Sequence, residues 1–198
     1  MDAYRRRRFR AGAARLTGIM EALSRIARLI DAFNERVGRA FSWLALLMVL
    51  VQFVVVLQRY VFGVGSIWAQ ESIVYMHGLM FMIVAGYTLL HNAHVRVDVF
   101  YRIMPPARKA LVDLLGTLFL LWPVCFLIFY VSLPYVEASW AVREGSRETS
   151  GIQGVYLLKS VILVFTVLLA LQGLSTIIHA LRILSGAEKP VEEASPIL

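Results

Sequence analysis

Charge is scarce in this chain. Of its 198 residues 17% are Asp, Glu, Lys or Arg and 59% are hydrophobic, with a mean hydropathy of +0.70. Soluble domains carry about a quarter of their residues as charges, so this balance excludes an ordinary soluble domain and places the chain in a membrane. Cysteine is nearly absent: Cys125 stands alone, which excludes an internal disulfide framework and an all-cysteine metal cage. There is no Gly-rich phosphate loop, no nucleophile elbow and no paired carboxylate inside an apolar run, so enzyme activity is not expected. The first apolar run begins at residue 40, behind a long charged segment without an obvious small-residue cleavage site. A removable signal peptide is therefore not expected either.

What the chain does have is four separated apolar runs, at residues 40–57, 73–90, 114–133 and 161–181. Each is about the length a helix needs to cross a hydrocarbon core of roughly 30 Å. A spanning segment must satisfy its own backbone hydrogen bonds, and these runs lack the alternation of a barrel strand. The expected fold is an all-α integral membrane protein with four transmembrane helices, at about 39–61, 69–91, 107–141 and 155–184, within a membrane domain of residues 38–184.

The net charge of +7 is placed as a topology signal. Ten of the twenty Lys and Arg precede the first span, four lie between spans two and three (Arg96, Arg102, Arg108, Lys109), and two follow span four (Arg182, Lys189). Four fall on the opposite side: Arg59, Arg143, Arg147 and Lys159. The positive-inside rule then puts both termini in the cytoplasm, and the basic excess points to anionic membrane lipids and not to nucleic acid.

Ahead of the spans, residues 1–14 read as a disordered basic arm. From Leu16 an apolar stripe (Leu16, Ile19, Leu23, Ile26, Ile30, Phe33, Val37) advances in steps of three and four, predicting an amphipathic interfacial helix over 15–37 that lies on the inner leaflet or packs on a partner helix, the alternative being a cytoplasmic extension of span one. Ser66 is placed to cap span two after a two-glycine turn. Pro123 and Pro134 are placed to kink span three. The polar loop 143–154 reads as mobile, and residues 185–198 as a disordered tail.

Histidines raise the question of a cofactor. His77 and His91 lie fourteen residues apart, about 21 Å along one helix, a spacing that suits stacked haems. The remaining histidines, His94 and His179, supply too few partners for two haems; one between His91 and His179 remains conceivable, as does a zinc site from His91, His94 and Asp98 that lacks a fourth ligand. The simpler reading is a neutral His77 hydrogen-bonded inside the bundle. No cofactor is expected. Deep polar side chains are few (Gln52, His77, Gln172 and Thr166) and no span has a charge near its centre, which argues against an independent carrier and for an accessory membrane subunit.

Three stretches taken in order, "RYVFGVGSIWAQE" (59–71), "HVRVDVFY" (94–101) and "LLKSVILVFTVLLALQGLSTII" (157–178), resemble the small membrane subunit of tripartite ATP-independent periplasmic (TRAP) transporters, the DctQ type. The resemblance implies a bacterial inner-membrane protein partnered by a large multi-span permease subunit and served by a periplasmic substrate-binding protein. It implies import of organic acids of the dicarboxylate, keto acid or sugar acid class with sodium coupling, and a brace's role for the small subunit. On this reading the structural or partner-contact candidates are Arg59, Glu71, His94, Arg96, Asp98, Lys159 and Gln172. The family often has two consecutive acids where this chain has Gln70 then Glu71, leaving one carboxylate for a neighbour such as Arg59. Prolines common around the Lys159 segment are also missing. The alternative is a cytochrome-b-like membrane anchor of a redox enzyme.

Overall fold

A computed structural model describes residues 2–94, 101 and 103–187. Its regular structure there is helical throughout: α1 (Asp2–Tyr60), α2 (Ile67–Ile83), α3 (Ala85–Leu90), α4 (Pro106–Gly116), a π turn (Thr117–Leu121), α5 (Trp122–Ala141) and α6 (Val155–Leu184). These make four membrane-length units, Met20–Tyr60, Ile67–Leu90, Pro106–Ala141 and Val155–Leu184. Both ends of the described chain lie at one end of the bundle, the terminal end; the loops 61–66 and 142–154 lie at the far end.

The first unit takes the form of an extension of span one and not of a separate interfacial helix. The arm (1–14), interfacial helix (15–37) and span (from 39) are carried, from Asp2 on, as one helix of 59 residues, about 88 Å at 1.5 Å per residue. Nothing in residues 15–40 breaks it: Gly18 and Gly38 are the only glycines there, and proline is absent. Span two is interrupted at Val84, where α2 passes into α3. Ser66 caps α2, its hydroxyl accepting from Ala69 N at 3.3 Å.

Span three changes pitch before Pro123. The Trp122 amide donates to Thr117 O, five residues back. Such a π turn widens the backbone where the pyrrolidine ring would otherwise crowd the preceding turn, so the proline begins α5 in place of breaking the span. The helix then runs on through Pro134. Trp122 Nε1 donates to Ala170 O at 3.2 Å, fixing the turn to α6.

Helix α6 is the common partner of every other helix. In its most apolar stretch 44% of residues are buried, against 6% to 17% in the other units, so the bundle is built around it. Small residues set the approach. A Cβ on Gly86 would sit 2.6 Å from Asn34 Oδ1 and 3.4 Å from Leu168 O; one on Gly173 would sit 2.8 Å from Leu121 Cδ2. Membrane helices gain little from hiding apolar surface from lipid, so close backbone approach and interhelical hydrogen bonds hold them together. The apolar centre is Ile83, Val161 and Leu168, with Val37, Phe41, Leu79 and Met82 against it.

Candidate functional site

The inward face of α1 near the terminal end is small and polar. Ser24, Ala27, Asn34 and Gly38 are buried there, while the apolar neighbours Ile26, Leu29 and Phe33 are 45%, 71% and 49% exposed. Of the predicted apolar stripe, Ile26 and Phe33 are thus turned outward, while Val37 packs against the apolar centre. Its counterpart on α6 is Gln172, Ser175 and His179, at steps of three and four on one face.

These residues form a clamp around one carboxylate. Asp31 Oδ1 accepts from Gln172 Nε2 at 3.0 Å and from Ser175 Oγ at 2.6 Å. Asp31 Oδ2 meets His179 Nε2 at 3.0 Å. Asn34 Nδ2 donates to Gln172 Oε1 at 2.8 Å, so Gln172 is held at both ends of its amide. Asn34 and Ser175 are almost wholly inaccessible, at 1% and 0%. One turn further along α1, Glu35 accepts from Arg39 Nε at 2.5 Å and meets His91 Nε2 at 2.6 Å, tying the end of span two to span one. Tyr87, whose ring leans on His91 with centroids 4.4 Å apart, packs over Gly38, where no Cβ would fit.

At the far end a second set of ties gathers the loop 142–154, which is therefore not the loose segment its composition suggests. Glu71 accepts from Ser146 Oγ and, at 2.6 Å, from the Ile152 amide. This carboxylate turns to the loop and not to Arg59. Lys159 pairs with Glu144, and its ammonium lies 4.0 Å from the centre of the Tyr135 ring. Trp140 Nε1 donates to Ser160 Oγ at 2.7 Å and its ring meets Tyr156 edge-on at 4.7 Å. The Lys159 ammonium holds the Glu144 carboxyl below the usual carboxylate range, with Arg147 adding to the effect.

Of the seven residues singled out from sequence, Gln172 lies in the clamp and Glu71 and Lys159 in the far-end ties, on opposite ends of the bundle. Arg59 is exposed at the end of α1, and His94 is exposed beyond the turn that closes span two. Arg96 and Asp98 lie outside the described residues. His77, read as an interior hydrogen-bonded group, is exposed on α2. His91 and His179, the pair a single haem would need, each turn Nε2 to a carboxylate of α1. Sequence reasoning missed Asp31, Asn34 and Ser175. The available signal was polar spacing: Ser24, Asp31, Asn34 on one helix and Gln172, Ser175, His179 on another.

The arrangement is a set of internal locks. Most polar side chains buried between the helices, Asn34, Thr166, Gln172 and Ser175 among them, bond to one another or to neighbouring backbone, while Asn34 Oδ1 and Ser139 Oγ are buried without a hydrogen-bond partner among the described residues. A model of the family described as tripartite ATP-independent periplasmic transporters, DctQ component, matches residues 48–183. The C4-dicarboxylate TRAP transporter small permease protein DctQ of Vibrio cholerae serotype O1 (strain ATCC 39315 / El Tor Inaba N16961) is 28% identical over 117 residues. The shared stretch is 59% of this chain and 46% of that relative, so the chain spans less than half of the relative's length. No solved structure matches.

Proposed function

This chain belongs to the DctQ component family of tripartite ATP-independent periplasmic transporters, and from that premise we propose that it is the small permease subunit of such a system and acts as a rigid brace for a large multi-span transport subunit. The observation that carries the brace reading is the clamp. A carrier needs polar groups free to meet its substrate and helices free to move, whereas here Asp31 spends its oxygens on Gln172, Ser175 and His179. Locks at both ends of the bundle suit a part that stays still while another moves.

The system imports organic acids of the dicarboxylate, keto acid or sugar acid class with sodium coupling, taking substrate from a periplasmic binding protein. The C4-dicarboxylate named for the relative favours the first class. The chain sits in the bacterial inner membrane with its terminal end in the cytoplasm, as its Lys and Arg distribution supports. Gln172, Glu71 and Lys159 serve as internal ties. Arg59, His94, Arg96 and Asp98 serve as contacts to the partner or to lipid headgroups.

Purification of a tagged copy in mild detergent should bring down a much larger membrane protein, and uptake of the organic acid should cease in a strain lacking this chain. Isolation of the chain alone, with uptake intact in the deleted strain, would refute the proposal. A Soret band in the purified protein, lost on replacing His91 or His179, would establish the redox-anchor alternative.

A further inference from the structure

Polar side chains deep in the spans fall into two groups. Thr166 and Gln172 are 1% and 2% exposed and bond within the bundle. Gln52 and His77 face outward. His77 stands ten residues from the start of α2 and fourteen from His91, about 15 Å and 21 Å along the axis, far from either headgroup region. Its ring stacks on Phe81 at 6.2 Å, and among the described residues it makes no hydrogen bond.

His77 lies on a narrow row. The exposed residues of α2 are Ile67, Trp68, Gln70, Val74, His77 and Phe81, and all but Trp68 advance in alternating steps of three and four. That is the line along which one helix lies against another. Two of the five positions, seven residues apart, are polar. Lipid tails offer neither donor nor acceptor to an imidazole, and ionisable groups at such depth face protein or water. Antiparallel pairing of α1 with α2, fixed by Glu35 on His91 and Gly38 on Tyr87, places Gln52 about one turn nearer the far end than His77. Gln52 and His77 therefore lie within about one helical turn of each other in depth.

What complements this row must bring a hydrogen-bonding side chain to mid-membrane. A subunit that carries ionised substrate has such groups by necessity. A second copy of this chain offers at that depth, among its described residues, only the same outward pair, Gln52 and His77, because Thr166 and Gln172 are used internally. We infer that Ile67, Gln70, Val74, His77 and Phe81 seat a membrane-spanning helix of the large permease subunit, with the His77 imidazole hydrogen-bonded to a polar side chain of that helix. The inference rests on the brace reading and assigns the face through which the brace works.

The test uses the full chain co-expressed with the large subunit. Photoreactive benzoylphenylalanine at position 81, where an aromatic ring already stands, should yield an adduct with the mass of both subunits. The same probe at position 127, exposed on α5, should not. His77→Leu should lower the large subunit recovered per tagged chain by about three- to tenfold, the range expected for loss of one interhelical hydrogen bond, with His77→Gln recovering most of it. Adducts from position 81 only with lipid or a second copy, while the large subunit still co-purifies, would overturn the seat and leave the brace standing. Equal recovery with His77→Leu and wild type would do the same. Failure of the wild-type chain to bring down the large subunit would remove both.

Discussion

At the residue scale, cohesion is concentrated on a few side chains, and Asp31 carries the most. Three donors on α6 converge on its two oxygens. Asp31→Ala should therefore cost on the order of 2–3 kcal/mol, because hydrogen bonds to a charged group are lost and buried donors are left unpaired. Asp31→Asn keeps one oxygen and should cost less. Thermal unfolding of the purified chain in detergent checks both, and an unchanged midpoint for Asp31→Ala would refute the clamp. Glu144 gives the pH counterpart at the far end. Its carboxyl is held below its ordinary value of 4.5 by Lys159, so the folded state favours the ionised form. That contribution is complete above about pH 4.5 and is lost as pH falls through the lowered folded value. Trp140, bonded to Ser160 beside this pair, should report the loosening as a fluorescence change below pH 4.5. Glu144→Gln should remove that change.

At the element scale, the distinctive feature is that α1 is one rod. Arg39 to Arg59 alone is about 30 Å, enough to cross the hydrocarbon core, yet the helix continues toward the amino terminus and ties Ala27, Asp31 and Asn34 to α6. Proline at position 40, where a separate interfacial helix would meet the span, distinguishes the two arrangements. In a continuous helix Ala40→Pro removes a ladder hydrogen bond and should cost about 3 kcal/mol; at a hinge it would cost little. The melting temperature of the variant decides, and a shift no larger than that of Ala40→Leu would show a hinge. The four spans were legible because their lengths follow from membrane thickness. The face of α1 that is buried was not legible. The apolar stripe that holds Ile26 and Phe33 was legible as a face for lipid or a partner helix, and both are exposed; the small polar face beside it, which packs in the bundle, carried no such signal. Near or within lipid apolar groups have cover already, and burial goes to side chains that can bond or come close. The π turn was half legible: Pro123 marks the place, but whether a proline kinks a helix or is absorbed by a wider turn depends on Trp122 finding Ala170 across the bundle.

At the scale of the whole molecule, the two halves meet through α6. Spans one and two form one hairpin, joined by Glu35 to His91, while span three is fixed to span four by Trp122 and by the Lys159 to Glu144 pair. The hairpins are held to each other by the clamp and by glycine contacts such as Gly86 on Leu168. Each also keeps its own basic flank at the terminal end, ten Lys and Arg before span one and Arg102, Arg108 and Lys109 before span three, so each carries its own orientation signal. The chain should therefore tolerate being severed between the hairpins. Expressed as separate fragments, 1–94 and 95–198 should both insert and associate, and a tag on one should recover the other in near-equal amount. Asp31→Ala in the first fragment should lower that recovery by about tenfold or more, since the 2–3 kcal/mol assigned to the clamp now acts on an association without a connecting loop. Recovery unaffected by Asp31→Ala would mean that shape fit alone joins the halves. Fragments that insert yet never associate would mean that the loop, and not α6, holds the bundle together.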